Sequence, residues 1–467
     1  LTNDDILLTD GVPAEIPVVA GIVSLMPATP NSHVAILAKS FGIPFAYASG
    51  AGFQEQLMAL IEREILLVMR EDGGGACVIT ATDITDKLTV EERQAIRDLK
   101  KPVAPAISPK RANGALGSPV DALTPDAIDV VGGKAANFGF LRRAIPDHSP
   151  WPVLALSFDL WDAFLDQSFE GASTLRERIA QRLEGMIYPP DLNALRPALA
   201  DIRGWIRDEA MFTATQRERI LDFLSVFEPS QKIRFRSSTN MEDGEAFSGA
   251  GLYDSFSGCV RDDTDEDEVG PSHCDANQPN ERGVFRAIQK VYASFYNENA
   301  YVERLRHGVR EEDVGMAILV HHSFPDDEEL ANGVATMEIR RTNGQRTVSL
   351  DLVSQLGAES VTNPNAAKQP EWARAMYGDV ALPILTLRQP SALVQDGARV
   401  MDWPDDYQEL VGWLDRAAVA YESFFSDDRE LVLLDFEFKK MKPGWLVVKQ
   451  IRAIPQPPIV PPPTLPD

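Results

Sequence analysis

The sequence has few cysteines, fewer basic than acidic residues, and no long apolar run. Three cysteines in 467 residues cannot form the disulfide framework of a small secreted protein, and their spacing matches no zinc site. We therefore expect reduced thiols and a cytoplasmic location. No stretch approaches the roughly 18 apolar residues of a transmembrane helix, so we expect no membrane span. The opening residues are neither basic nor apolar, and we expect no signal peptide.

Acidic residues outnumber basic ones 70 to 45, which gives a net charge of −25. Phosphate backbones would repel such a chain, so we expect no nucleic-acid partner. Hydrophobic residues make up 44% and charged residues 25%, the balance of a globular protein. The length fits about two to four domains. The chain opens on Leu1 and enters an apolar run almost at once, as a piece of a longer protein would.

The pattern of apolar runs and turns predicts a multidomain protein of α/β and α+β class. Residues 1–98 alternate short apolar runs with turns, and residues 99–125 are rich in Pro, Ala, Gly and Ser, as in a linker. Residues 126–455 form a large mixed region, and residues 456–467 form a Pro-rich, extended tail. In the large region we predict helices near 134–144, 174–185, 214–227, 281–306 and 407–425. We predict strands there near 232–236, 315–321, 333–340, 347–353, 431–438 and 445–451.

The segment 261–282 is strongly acidic. Asp263, Asp265 and Asp267 have the alternate spacing that opens a calcium loop. The turning glycine and the closing glutamate of such a loop are absent. We expect a solvated acidic surface loop instead.

His33 lies where a strand gives way to a helix, in the run TPNSHVAILAK at 29–39. Ser32 suits the N-cap of that helix, and Gly42 with Pro44 ends it. Free backbone N–H groups at a helix N-terminus stabilise negative charge, and they keep an imidazole neutral and nucleophilic. His33 could therefore carry a transferred phosphoryl group. From these residues alone, a structural histidine is the alternative.

A glycine pair and Lys134 begin a helix after an apolar run, in VVGGKAAN at 130–137. Glycine lets the backbone approach a phosphate, and the lysine supplies a point charge. The segment is not a Walker A sequence, and an ordinary helix start is the alternative.

Two arginines share one face of the strand that begins IRFRSST at 233–239, because alternate residues of a strand point the same way. Arg234 and Arg236 precede a hydroxyl-rich turn, and a run of small residues that includes Gly249 and Gly251 follows. Such a run could form a lid over phosphates. A salt-bridged surface strand with a glycine-rich loop is the alternative.

Near the C-terminus, two strands joined at a Pro-Gly turn carry acids on one side and an amide and a cation on the other. Strand alternation places Asp435 and Glu437 on one face, and Gln450 and Arg452 on one face of the partner strand. Carboxylates with a neutral amide, beside a cation, suit a Mg²⁺–triphosphate. A polar outer hairpin face is the alternative.

Taken together, these motifs resemble the dikinase family, which includes phosphoenolpyruvate synthase, pyruvate phosphate dikinase and the glucan water dikinases. The resemblance implies a small phosphohistidine swivel domain of β/β/α type, followed by an ATP-grasp-type nucleotide-binding domain. It implies His33 as the phosphoryl carrier, with ATP and Mg²⁺ as cofactors. The residues implied to bind the nucleotide phosphates are Lys134, Arg236, Ser237, Ser238, Gly249, Gly251 and Arg452. Those implied to bind Mg²⁺ are Glu437 and Gln450, with Asp435 close to them.

The sequence departs from the family pattern at several positions. Asn31 and Lys39 flank His33 where other residues are commoner, and Ala453 replaces the proline of the Gln-x-Arg-Pro motif. Met316–His322 resembles the strand whose backbone meets adenine, with His321 where the family usually has Gln.

The order of the two domains, and the lid sequence AGLYDS at 250–255, resemble the glucan water dikinases. The implied reaction transfers the β-phosphate of ATP to His33 and then to an acceptor hydroxyl, while the γ-phosphate goes to water. The candidate acceptor is an α-glucan. The alternatives are a dikinase for a non-glucan small molecule or a protein, and a catalytically silent ATP-binding module.

Overall fold

The protein is described here from a computed structural model. It covers residues 4–11, 19–26, 38, 43–71, 77–99, 107–169, 171, 173–242, 251–265, 269–361, 368–378, 382–395, 397–425 and 429–454. His33, most of the helix predicted after it, Gly249 and the Pro-rich tail lie outside these residues.

In the described ranges up to residue 99, the chain forms two small sheets and the helices α1 and α2. Its first three strands form a parallel sheet in the order β1-β2-β3, and the next two form an antiparallel pair. The elements are β1 (Ile6–Thr9), β2 (Gly21–Ser24), β3 (Phe45–Tyr47), α1 (Ala51–Met58), β4 (Ile65–Glu71), β5 (Cys77–Asp83) and α2 (Val90–Leu99).

The larger part contains a five-stranded antiparallel sheet, with its strands in the order β6-β7-β10-β8-β9. The apolar faces of helices α4 to α9 pack together with this sheet and form one hydrophobic core. The elements are β6 (Gly117–Pro119), α3 (Ile128–Ala144), β7 (Val153–Leu156), α4 (Phe158–Leu165), α5 (Leu175–Arg182), α6 (Leu192–Gly204), α7 (Ala214–Phe223), β8 (Ile233–Thr239), β9 (Ser255–Gly258), α8 (Val284–Ser294), α9 (Glu298–Arg306) and β10 (Met316–His322).

A six-stranded antiparallel sheet follows, with its strands in the order β14-β13-β12-β11-β15-β16. The long helix α10 packs on one face of this sheet and forms a second core with it. The elements are β11 (Glu329–Thr342), β12 (Gln345–Leu356), β13 (Glu371–Gly378), β14 (Ile384–Gln389), α10 (Asp405–Phe424), β15 (Leu431–Met441) and β16 (Trp445–Ala453). None of the helices in the described ranges combines the length and the apolar character needed to span a bilayer.

Helix α3 lies between the two large sheets. Its N-terminal half packs on the five-stranded sheet through Val131 and Phe138, and its C-terminal half packs in the second core through Phe140 and Leu141. A kink at Gly132 interrupts the helix, so its regular part begins at Gly133, next to the helix start that the sequence predicts near residue 134. The helix therefore places Lys134 close to both sheets.

The segment 107–125, predicted as part of a linker, is packed into the larger domain. Gly117–Pro119 pairs with β7, and the Val120 side chain is fully buried. Lys110 Nζ binds the Asp162 carboxylate at 2.7 Å. The linker prediction is wrong over these residues, because Pro- and Ala-rich composition does not exclude an edge strand and buried turns.

The region predicted as one helix at 281–306 contains two, α8 and α9, separated by a turn at residues 295–297. Elements absent from the prediction include two helices, α4 and α6, and the strands β7, β9, β13 and β14.

Cys259 and Cys274 form a disulfide, so the expectation of reduced thiols is wrong for this pair. The acidic segment between them folds back and brings their Cα atoms to 5.7 Å. Asp262, 5% exposed, accepts hydrogen bonds from the backbone N–H groups of His273 and Arg282, both at 2.8 Å. Asp263 accepts from the backbone N–H of Val284 at the start of α8. Because Asp262 binds the loop's own backbone and Asp263 binds the start of α8, the prediction of a solvated loop is wrong for these two carboxylates.

Burial raises the pKa of Asp263 to about 6, despite its bonds to the Val284 and Phe285 N–H groups. The folded protein therefore holds this proton more tightly than the unfolded chain does, and the free energy of unfolding should fall by about 2 kcal/mol as pH rises from about 4 to about 6. Asp263→Asn should remove this part of the pH dependence. Denaturant unfolding of both proteins across that range measures it, and equal slopes would contradict the assignment.

Gly132 has φ 77° and ψ 166°, a conformation that is essentially restricted to glycine. A Cβ atom built there would lie 2.0 Å from the Ser238 carbonyl oxygen. Gly132→Ala should therefore lower the free energy of unfolding by about 3 kcal/mol, through backbone strain and overpacking. Denaturant unfolding measures this change.

Gly412→Ala is the matched control, because Gly412 lies in the middle of α10 with open space around its Cα. It should raise the free energy of unfolding by about 0.5–1 kcal/mol, since alanine favours helix and restricts the unfolded chain. Similar effects of the two substitutions would contradict the close approach at Gly132.

Candidate functional site

The glycine pair that precedes Lys134 is held against strand β8 by Ser238. The Ser238 Oγ donates a hydrogen bond to the Val131 carbonyl at 2.7 Å and accepts one from the Ala135 N–H at 3.0 Å. Ser238 is fully buried. Its hydroxyl thus fixes the start of α3, and a role of this side chain in phosphate binding stays a prediction.

Lys134 lies beside a buried carboxylate that the sequence analysis assigned no role. Its Nζ is 3.0 Å from Glu242 Oε1 and 3.2 Å from Ser237 Oγ. Glu242, 3% exposed, also accepts from the Thr239 N–H at 3.1 Å, while its own N–H donates to Thr239 Oγ1 at 2.9 Å. The hydroxyl residue three positions before an acid is the signal that could have revealed this turn.

Arg236 connects the two large sheets. Its Nη2 donates to Glu437 Oε2 at 2.9 Å and to Gln450 Oε1 at 2.6 Å, and its Nη1 donates to the Lys449 carbonyl at 3.1 Å. The arginine lies on β8 of the five-stranded sheet, whereas its three acceptors lie on β15 and β16 of the six-stranded sheet. One guanidinium therefore brings together two side-chain oxygens from neighbouring strands.

The predicted pairing of the C-terminal strands is confirmed. Asp435 lies opposite Arg452, and Glu437 lies opposite Gln450. Arg452 Nη2 is 2.6 Å from Asp435 Oδ2, and the Asp435 side chain is only 1% exposed. Asp435 is thus a buried partner of Arg452, while Glu437 is 28% exposed and is paired with Arg236.

Lys134, Arg236, Asp435, Glu437, Lys449, Gln450 and Arg452 form a charged corner between the two large sheets. Within this corner the pKa values of the two acids, Glu437 and Asp435, are shifted in opposite directions. Burial raises the pKa of Glu437, but the attraction of Arg236, Lys449, Arg452 and Lys134 outweighs it and holds that pKa well below the usual range. The pKa of Asp435 is raised, because burial outweighs the attraction of Arg452. Glu437 therefore stays ionised and available to a cation across the physiological pH range.

Lys449 is a further cation that the sequence analysis passed over. Its Nζ lies 3.2 Å from Glu437 Oε2, the oxygen that also binds Arg236. Burial lowers the pKa of Lys449 to about 8, and the neighbouring Arg236 and Lys439 act in the same direction against the attraction of Glu437.

The strand Met316–His322 does not offer its backbone to a ligand as the resemblance implied. It is the central strand β10, paired with β7 through Ile318–His321 and with β8 along its whole length. Both edges of its middle part are therefore occupied by ladder hydrogen bonds. An adenine contact must come from a side chain or from the segment after the strand.

His321, on β10, is a buried histidine on which the charges of Arg236 and Lys449 act. It is 3% exposed, and its Nδ1 lies 2.6 Å from the His322 carbonyl oxygen, so this nitrogen carries the proton. Burial and the nearby Arg236 hold the pKa of His321 well below its usual value, so the ring is neutral. Within the described part of the chain, its buried Nε2 has no hydrogen-bond partner.

The segment that follows β10 borders a cleft of about 810 Å³ at the junction of the two sheets. It is lined by residues 230–232, 274–277 and 322–328 and by Met441, Lys442 and Trp445. Phe324 packs against Met441 on the buried side. This cleft is large enough for a small organic ligand.

The remaining predicted residues are placed as follows. Gly251 has φ 71° and begins the described segment after the predicted lid. Tyr253, two residues on, is buried, and burial raises its pKa to about 12. His33 and Gly249 lie outside the described residues.

The part of the chain that contains Lys134 and Arg236 matches a known protein family. Residues 128–371, more than half of the chain, match the family model "Pyruvate phosphate dikinase, AMP/ATP-binding domain". The match includes Lys134 and Arg236, whereas β15 and β16 lie beyond it.

Two curated relatives each match a part of the chain. A phosphoenolpyruvate synthase of Deinococcus radiodurans is 24% identical over 222 residues, which are 47% of this chain and 25% of the relative. A rifampicin phosphotransferase of Streptomyces sviceus is 25% identical over 296 residues, which are 62% of this chain and 30% of the relative. The matched regions thus span a quarter to a third of these relatives.

Among solved structures, D-alanyl-alanine synthetase A of Vibrio cholerae aligns with 53% of this chain and 48% of its own, at 10% identity and a TM-score of 0.22. That likeness is too low to carry an argument. The family match over more than half of the sequence is sufficient by itself. The chain belongs to the family of pyruvate phosphate dikinase AMP/ATP-binding domains.

Proposed function

We propose that this chain is an ATP-dependent phosphotransferase of the dikinase type, whose ATP-grasp-type domain binds the nucleotide phosphates between the two large sheets. The observation that carries the proposal is the position of Arg236, which joins Glu437 and Gln450 across the sheets. Together with Arg236, Lys134 and Arg452 form a set of cations to which phosphate oxygens would bind.

The oxygen atoms of this corner fit a magnesium ion. Glu437 Oε2 and Gln450 Oε1 both lie within 2.9 Å of the same nitrogen, so they already converge on one positively charged group. The described residues contain no group of three or more His, Cys, Asp or Glu side chains able to hold a metal. Magnesium would accordingly take its other ligands from the nucleotide and from water, as it usually does in kinases. When bound, it would neutralise charge on the phosphates.

The protein's own part in the reaction is to position and neutralise the triphosphate. Arg236 presents a planar fork to phosphate oxygens, and Lys134 supplies a point charge at the start of α3. A low-dielectric corner makes these contacts stronger than in water. The imidazole of His33 then attacks the β-phosphorus, the bond from that phosphorus to the α–β bridging oxygen breaks, and AMP leaves. The γ-phosphate goes to water, which leaves one phosphoryl group on His33.

The final acceptor in this proposal is a hydroxyl group. The lid resemblance favours an α-glucan, whereas the names of the two curated relatives point to small-molecule chemistry. Because the relatives share measurable sequence similarity with this chain, we place a small-molecule hydroxyl ahead of a glucan. The phosphohistidine swivel domain of residues 1–98 would carry the group from the nucleotide to that acceptor.

Incubation with ATP labelled at the β- or the γ-phosphate tests the reaction. Acid-labile label should appear on His33 from the β position only, with AMP and inorganic phosphate as products, and His33→Ala should abolish it. Label that arrives from the γ position would indicate an ordinary kinase transfer. Nucleotide binding without any labelling would favour a silent ATP-binding module.

Arg236→Lys tests the phosphate corner without removing its charge. A lysine cannot bridge Glu437 and Gln450 as the planar guanidinium does, so affinity for Mg²⁺–ATP should fall by about tenfold or more. Isothermal titration calorimetry measures the change. Arg340→Lys is the control, since Arg340 is 56% exposed and paired with Glu338 at 2.5 Å, away from the corner. Equal affinities of the two variants would contradict the assignment.

A further inference from the structure

The pairing of β15 and β16 contains a β-bulge at Lys449. Glu437 lies opposite Gln450, and the next residue, Phe438, lies opposite Val448, so Lys449 is the extra residue of its strand. A bulge changes the direction of the side chains next to it. In an uninterrupted strand, Lys449 would point away from the face that Gln450 occupies. That opposite face carries the apolar core, including Phe438 and Val448.

The bulge instead brings the Lys449 ammonium group into the phosphate corner. Its Nζ is 3.2 Å from Glu437 Oε2, and the side chain is 19% exposed, so it is not closed off from a ligand. The backbone carbonyl of the same residue holds Arg236 Nη1 at 3.1 Å. One bulged residue therefore positions the arginine through its backbone and adds a second cation through its side chain.

Two cations share one carboxylate oxygen in this arrangement. Arg236 is also held by Gln450 and by the Lys449 carbonyl, so its position is fixed by three acceptors. The lysine side chain is a flexible stem with three donors, and it can exchange one anionic partner for another at small cost. A phosphate that arrives at Arg236 lies within reach of the same ammonium group.

We propose that Lys449 is a nucleotide-phosphate ligand that competes with the divalent cation for Glu437, and so gives this chain an affinity for ATP that does not require metal. The inference rests on the proposed nucleotide function of the same corner. Without metal, Lys449 and Arg236 together neutralise the phosphates. A metal ion held by Glu437 would supply part of this neutralisation itself, so that less of it would depend on Lys449.

Isothermal titration of ATP, in EDTA and in excess Mg²⁺, tests the proposal on the full chain. Lys449→Met should weaken ATP binding in EDTA by about tenfold or more, because a hydrogen bond between charged groups is lost. In Mg²⁺ the loss should be clearly smaller, because Glu437 is then released to the metal. Lys449→Arg should restore most of the affinity in EDTA.

Lys439→Met is the matched control. Lys439 lies on the neighbouring strand, is 17% exposed, and is paired with Glu329, so it is a half-buried lysine of similar surroundings outside the bulge. The Lys439→Met variant should bind ATP like the wild type in both buffers. Thermal unfolding of each variant confirms that the titrated protein is folded.

The outcomes separate this inference from the proposed function. Unchanged binding of Lys449→Met in EDTA, or an equal loss in both buffers, would overturn the role of Lys449 while the nucleotide site stands. A wild type that binds no ATP in either buffer would overturn both.

Discussion

The larger domain depends on a single guanidinium group shared between two sheets. Arg236 is 8% exposed and binds Glu437, Gln450 and a backbone carbonyl of the opposite sheet. A charge in such surroundings must be paired, and removing either partner of a buried pair leaves an uncompensated ion that costs about 3–5 kcal/mol. The same atoms that hold the sheets together are those best suited to a triphosphate and its metal. Stability without nucleotide and affinity for nucleotide therefore draw on one set of contacts.

The neighbouring residues follow from this constraint. Ser238 fixes the glycine pair so that Lys134 faces the corner, and Glu242 holds that lysine in place at 3.0 Å. Asp435 keeps Arg452 beside the site. Each cation is thus held by an acid before any ligand arrives, which is the preorganisation that phosphoryl transfer uses. The family match indicates a nucleotide as the ligand, and the proposed function assigns its phosphates to these cations.

The parts predicted well from the sequence are those fixed by local periodicity. Strand alternation predicted that Asp435 and Glu437 would face Gln450 and Arg452, because side chains alternate in any extended strand. The sequence also predicted that a regular helix begins next to the glycine pair of α3. The bulge at Lys449 depends on cross-strand register, and the partners of Glu242 depend on packing, so neither was predicted. Composition misassigned 107–125 as linker, and cysteine number alone could not show that Cys259 and Cys274 meet. His33 rests on its motif alone.

A crystal structure with Mg²⁺ and a non-hydrolysable ATP analogue would show whether the nucleotide phosphates bind at Arg236. We expect phosphate oxygens within hydrogen-bond distance of Lys134, Arg236 and Arg452, and a metal ion that binds Glu437 and Gln450. Arg236 should then have exchanged its bonds to those two side chains for phosphate. Phosphates bound elsewhere, with Arg236 still bridging Glu437 and Gln450, would contradict this expectation.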